Sequence, residues 1–152
     1  MKCAACQASA HQGALAVSKA LKAMHKEDLV GLTTLEAMED LCGDPGKWSH
    51  EYGLQPTKSG VNIIDGPGIV HPPGVSTFAE DKSVMLQTQH SLEIGKKLAA
   101  ACTAMLEGAE ADENELAEVL MAAEETGEEG AGPQAFKKVL CEQAGQACAA
   151  AA

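Results

Sequence analysis

Six cysteines, at positions 3, 6, 42, 102, 141 and 148, are the residues of this chain whose type and spacing could do chemistry. Cys3 and Cys6 stand together as Cys-Ala-Ala-Cys. A pair at that spacing can be a thiol–disulfide catalyst, half of a zinc site, or two anchors of a disulfide framework. Redox catalysis wants the first thiol exposed at a helix N-terminus beside a βαβ framework, and no βαβ pattern surrounds this pair. A tetrahedral zinc site wants a second close pair, and Cys141 with Cys148 makes an unusual knuckle. The framework reading uses all six sulfurs. If the first and last helices run antiparallel, nested bridges Cys3–Cys148 and Cys6–Cys141 would tie the chain ends and leave Cys42 for Cys102. Six cysteines permit many pairings, so spacing alone does not choose this one. Three helical residues rise about 4.5 Å and seven about 10.5 Å, so this pairing requires the last helix to end or bend near Gly145.

The other chemistry-bearing side chains are dispersed. His11, His25, His50, His71 and His90 form no motif, and His90 sits on an apolar stripe, where a core role is the plainer reading. Trp48, His50 and Tyr52 gather two rings and an imidazole in a chain that is only 3% aromatic. They read either as anchors packing a loop or as a client-contact patch, since aromatics are enriched in binding hot spots. Phosphate-loop and dinucleotide fingerprints are missing, and Asp65-Gly66-Pro67-Gly68 is a turn without strand-to-helix context. The acidic runs lack a calcium-loop pattern and read as solvated faces. The expectation is a protein that is not an enzyme, with no catalytic residue, no metal and no cofactor.

The elements that must position the cysteines are helical. From Cys3 to about Met24, apolar or small residues recur at three and four, giving a first amphipathic helix with Gln7 on its polar side. After Gly31, Thr33-Thr34-Leu35-Glu36 reads as a capping box opening a helix through Met38, Leu41 and Cys42. Residues 43–84 hold five of the six prolines and read as an inserted Gly/Pro-rich loop between helices 2 and 3. Within it Val61, Ile63, Ile64, Ile69 and Val70 flank Asp65–Gly68 and predict a short irregular hairpin. Helical spacing resumes from about Val84 to Glu107 through Leu86, His90, Ile94, Leu98, Cys102 and Met105. Asp112 and Glu115 mark a further start before Leu116 and Leu120. A last helix begins at Pro133 and buries Phe136, Val139, Leu140 and Cys141.

The 152 residues suit one domain, residues 1–152, whose apolar content comes mainly from small and aliphatic residues rather than rings. A net charge of −11 with the acids concentrated in the last third disfavours nucleic acid, and anionic membranes at neutral pH, and favours basic clients or divalent cations. No run reaches the roughly 18 apolar residues of a membrane span. The first residues carry no secretory leader and the last no retention tetrapeptide; if the natural protein is secretory, Met1 is expected to be a replacement start where a leader was cut away.

Together, Cys3-Ala-Ala-Cys6, Cys42 followed by Trp48-Ser-His-Glu-Tyr52-Gly53, the Gly-Pro-Gly of residues 66–68, Cys102 within a long helix and Cys141-Glu-Gln-Ala-Gly-Gln-Ala-Cys148 resemble the canopy family of saposin-like proteins. The similarity extends over nearly the whole chain. It implies an all-α, saposin-like bundle of four to five helices stapled by the bridges Cys3–Cys148, Cys6–Cys141 and Cys42–Cys102. It further implies residence in the endoplasmic reticulum lumen, and work as a co-chaperone on secretory or receptor clients, alongside other chaperones of that compartment. Two alternatives stay open: a saposin-type lipid-interacting protein, and a thiol–disulfide exchange assistant using Cys3 and Cys6. The sequence names neither the client nor the oligomeric state.

Overall fold

The computed structural model describes residues 2–23, 29–56, 62–70, 89–90, 92–108, 113–144 and 148. Its first helix, α1 (Lys2–Ala23), is the axis of the molecule. Ala5 and Ala8 enter one core cluster, while Cys6, Ala10, Ala14 and Val17 enter another. A helix buried on two sides needs short side chains so that neighbouring backbones can approach, and the alanine-rich sequence supplies them. Gly13 serves the same end: a Cβ there would lie 2.8 Å from the Met38 sulfur.

Around this axis pack α2 (Val30–Cys42), α4 (Leu92–Gly108), α5 (Glu113–Glu125) and α6 (Ala131–Lys137), with the short α3 (Pro45–Glu51) laid across α4. One cluster joins α1, α2, α5 and the C-terminal segment through Met38, Leu116, Leu120, Phe136 and Leu140. The second joins α1, α2, α3 and α4 through Leu41, Trp48, Tyr52, Ile94 and Leu98. A small antiparallel sheet in the order β2-β1-β3 closes that end, built from Gly53–Pro56, Asn62–Asp65 and Gln89–His90 as β1, β2 and β3. The fold is therefore an all-α bundle with a minor sheet, stapled by three disulfides.

The bridges are Cys3–Cys148, Cys6–Cys141 and Cys42–Cys102, with Cα–Cα separations of 4.7, 5.8 and 5.2 Å. The unequal rise between the two nested pairs is absorbed by a change of helix type. After Lys137 the α-helix gives way to a π-helix over Lys138–Ala144, and the Cys148 amide donates to the Cys141 carbonyl at 3.0 Å. Cys141 and Cys148, seven positions apart, thereby face Cys6 and Cys3, which are three apart. The expected bend at Gly145 lies outside the described residues.

Several expectations are corrected. The described residues form six α-helices and a π-helix rather than four or five helices. The loop 43–84 contains α3, started by the Asp44 side chain accepting from the Lys47 amide at 3.3 Å with Pro45 in the first turn. The capping box does not open α2, which begins at Val30 behind Leu29 with no side-chain cap. Gly31 lies inside that helix because packing favours it there: a Cβ would meet Asn114 Oδ1 of α5 at 2.7 Å. The hairpin forms between Gly53–Pro56 and Asn62–Asp65, not across residues 65–68. Past Gly66 the Ile69 amide turns back to the Gly66 carbonyl, and the Val70 amide is taken by Gln7 Oε1 at 3.0 Å, so neither enters a ladder. The long helix begins at Leu92, and Gln89–His90 instead pair with the free edge of β1. His90 is thus a strand residue, and 84–88 lie outside the described residues.

Candidate functional site

Of the three residues proposed as a contact patch, the structure brings two together in the core. Trp48 and Tyr52, one turn apart on α3 and its C-cap, are 1% and 0% exposed, with ring centroids 5.6 Å apart. The Trp48 indole donates to the Leu41 carbonyl at 3.1 Å, sharing that acceptor at the end of α2 with the Asp44 amide at 3.3 Å. Neither ring offers surface to a client, so the packing reading describes them. His50 alone of the three is exposed.

Tyr52 also anchors a polar latch. Its hydroxyl donates to the Pro67 carbonyl at 2.5 Å and accepts from Gln12 Nε2 at 3.2 Å. Gln12 reaches on to the Glu51 carboxylate. Burial, reinforced by Glu51 and opposed by the Gln12 hydrogen bond, drives the phenol well above its ordinary range, so it stays a neutral donor. His11, half-buried, is held below its ordinary 6.5 by desolvation, against the pull of Glu51. It packs on Gly68, whose φ of 86° and missing Cβ both favour glycine, since a Cβ would collide with the His11 ring. Gln7, His11 and Gln12 thus fasten the turn 66–70 to α1. The Tyr52 side chain is wholly buried, and its hydrogen bonds join α1, α3 and the turn 66–70. The cluster's sequence signal was a set of polar residues on an alanine-rich helix, which reads as a solvent face until the turn is seen covering it.

A concave surface lies at the other end of the bundle. A groove of about 310 Å³ opens between α1 and the α5–α6 corner, lined by Ala14, Leu15, Ser18 and Lys22 on one wall. Leu120 and Glu124 of α5, with Glu128, Ala131, Gly132 and Pro133 of the corner, make the other. The floor is apolar: Ala14 and Leu120 are fully buried, while Leu15 is 50% exposed along the mouth. Gly132 allows the close approach of α6 to α5, since its Cβ would lie 2.8 Å from Leu120. The corner turns on Gly127 and Gly130, both at positive φ, and the Thr126 hydroxyl donates to the Ala123 carbonyl at 2.7 Å while accepting from the Glu128 amide. Glu124 meets Lys22 at 3.7 Å across the opening. The sequence showed this corner only as an acidic turn; its concavity depends on α1 lying opposite.

The six cysteines, by contrast, carry no reactive thiol, all being bridged. Three bridges are the chemistry of an oxidising, secretory-type compartment. Among the described residues no three His, Cys, Asp or Glu side chains converge as a metal site, and no helix is long and apolar enough to cross a membrane. No protein-family model matches the sequence, and a search of curated proteins finds no match.

Proposed function

We propose that this chain is a non-enzymatic co-chaperone of the endoplasmic reticulum lumen, of the canopy type, which holds folding secretory or receptor clients by protein–protein contact. The observation that carries the reading is a solvent-open, apolar-floored groove on a frame whose two ends are covalently clamped. Such a frame keeps its binding surface in shape among unfolded proteins and oxidants, where a bundle held by a thin core alone would be marginal. Cysteine order and the buried Trp48–Tyr52 anchor support the canopy assignment.

The test is light scattering of a thermally unfolding secretory protein at neutral pH. Equimolar addition of this protein suppresses aggregation, and does so in the presence of a thiol-blocking agent. Undiminished aggregation sinks the proposal. Insulin reduction, run in parallel with Cys3→Ser, addresses exchange chemistry: turnover that this substitution abolishes assigns the protein to thiol–disulfide exchange instead.

A further inference from the structure

We infer that the groove between α1 and the α5–α6 corner is a docking site for a peptide segment carrying a lysine or arginine next to an aliphatic residue. The inference deepens the co-chaperone reading by naming what the client presents.

Charge selects the partner. Glu124 and Glu128 line the opening, and the exposed Glu125 and Glu129 stand beside them on the corner. A cation of the chain itself on the facing α1 wall, Lys22, is 73% exposed at its side chain and meets Glu124 at 3.7 Å. An ion pair so open to water contributes between nothing and about 1 kcal/mol. Lys22 can therefore swing out, and an incoming cation takes the place it vacates beside Glu124. It marks the position a guest's basic group would occupy.

Shape selects the neighbour. The volume, about 310 Å³, is at the small end of ligand pockets and suits one or two side chains rather than a folded surface. Leu15 and Pro133 supply apolar walls over the buried Leu120, so an aliphatic residue beside the basic one removes both from water. The Thr126 hydroxyl bonds brace the corner through backbone groups of Ala123 and Glu128 and do not use its carboxylates.

The experiment uses the intact oxidised protein and two fluorescein-labelled peptides, one of alternating leucine and arginine and one with glutamate replacing each arginine. Anisotropy is read at low salt and at high salt. The basic peptide binds, and the acidic one does not. The double variant Glu124→Gln/Glu128→Gln weakens binding about tenfold, the loss of two exposed ion pairs within the range of their usual worth. Lys22→Ala, by removing the internal competitor, tightens it. Glu36→Gln/Glu39→Gln, two exposed acids on α2, leaves the affinity unchanged, separating a built site from general attraction to an acidic protein. Circular dichroism confirms that each variant folds.

Equal affinity for the acidic peptide, or equal losses in the two double variants, overturns the inference. So does a self-associated dimer that Leu15→Glu abolishes, which would give the groove to a second copy. Failure of the aggregation assay with peptide binding intact would remove the co-chaperone role and leave the site. Aggregation suppressed by the groove variants as well as by the parent would remove the site and leave the role.

Discussion

The Tyr52 hydroxyl bonds both Pro67 and Gln12 from a ring that is wholly buried, so Tyr52→Phe removes two hydrogen bonds at once, one of them buried, while Gln12 keeps its bond to Glu51. The expected cost is about 1–3 kcal/mol in urea unfolding, with Tyr52→Ala costing more because a cavity is added. No change on Tyr52→Phe would dismiss the latch as an anchor. His11 makes a separate prediction about pH. Its folded-state affinity for a proton is depressed below the ordinary 6.5 mainly by burial, so the unfolded chain binds the proton first as pH falls. Stability attributable to His11 is therefore intact above about 6.5 and is lost on acidification through and below that value. The slope of unfolding free energy between neutral and mildly acidic pH should flatten in His11→Gln. A parallel slope in the variant would assign the acid sensitivity elsewhere.

Between elements, the tightest approach is that of α4 to α3. At Gly95 an added Cβ would run into the Pro45 carbonyl and lie 3.0 Å from Ser49. Gly95→Ala must push α3 off α4, at about 1–3 kcal/mol, although alanine is the better helix former. Trp48, the chain's one tryptophan, rides on α3, so its emission should shift to the red as the thermal midpoint falls. A more stable variant with unshifted emission would contradict this packing. The same pair shows where sequence reasoning works and where it stops. The stripes of α1, α4 and α5 could be read from spacing, because long amphipathic helices write their buried face into the order of residues. The seven residues of α3 are too few to show a period, and only Asp44-Pro45 announced them. β3 was read as helix because Leu86, His90 and Ile94 keep helical spacing, whereas the backbone at Gln89–His90 answers to the unpaired edge of β1. The π-helix was invisible for a similar reason: it follows from where Cys3 and Cys6 wait, not from residues 138–144 themselves. Of the candidate site, the cysteines were legible in the sequence, and the groove was not, since its walls lie about a hundred positions apart.

For the molecule as a whole the two core clusters meet on α1, and bridged cysteines are buried in both, Cys6, Cys141 and Cys148 in one and Cys42 and Cys102 in the other, so the bridges and the apolar packing support each other. Cys42 and Cys102 enclose a separation of 60 residues. Closing a loop of that length is worth about 4 kcal/mol in the chain-entropy account, against about 5–15 kcal/mol for the total of a typical domain. Cys42→Ser/Cys102→Ser should therefore lower the denaturation midpoint substantially while leaving the helical content, measured by circular dichroism, largely in place. A midpoint within error of the parent would mean that the second cluster holds without its bridge. Opening either outer bridge instead should release the C-terminal segment and shorten the π-helix, since the Cys148-to-Cys141 backbone bond loses its anchor.

The clamp also imposes an order of events during biosynthesis. Cys3 leaves the ribosome 145 residues before its partner, and Cys6 leaves 135 before its own. At roughly 5–20 residues per second both spend many seconds as open thiols within reach of each other and of Cys42. Of the three native bridges, Cys42–Cys102 is the first whose second cysteine is synthesised. The helix at the centre of the finished molecule is thus among the last parts to be secured. Newly made chains, trapped with an alkylating agent and run without reductant, should pass through a one-bridge species before the compact form.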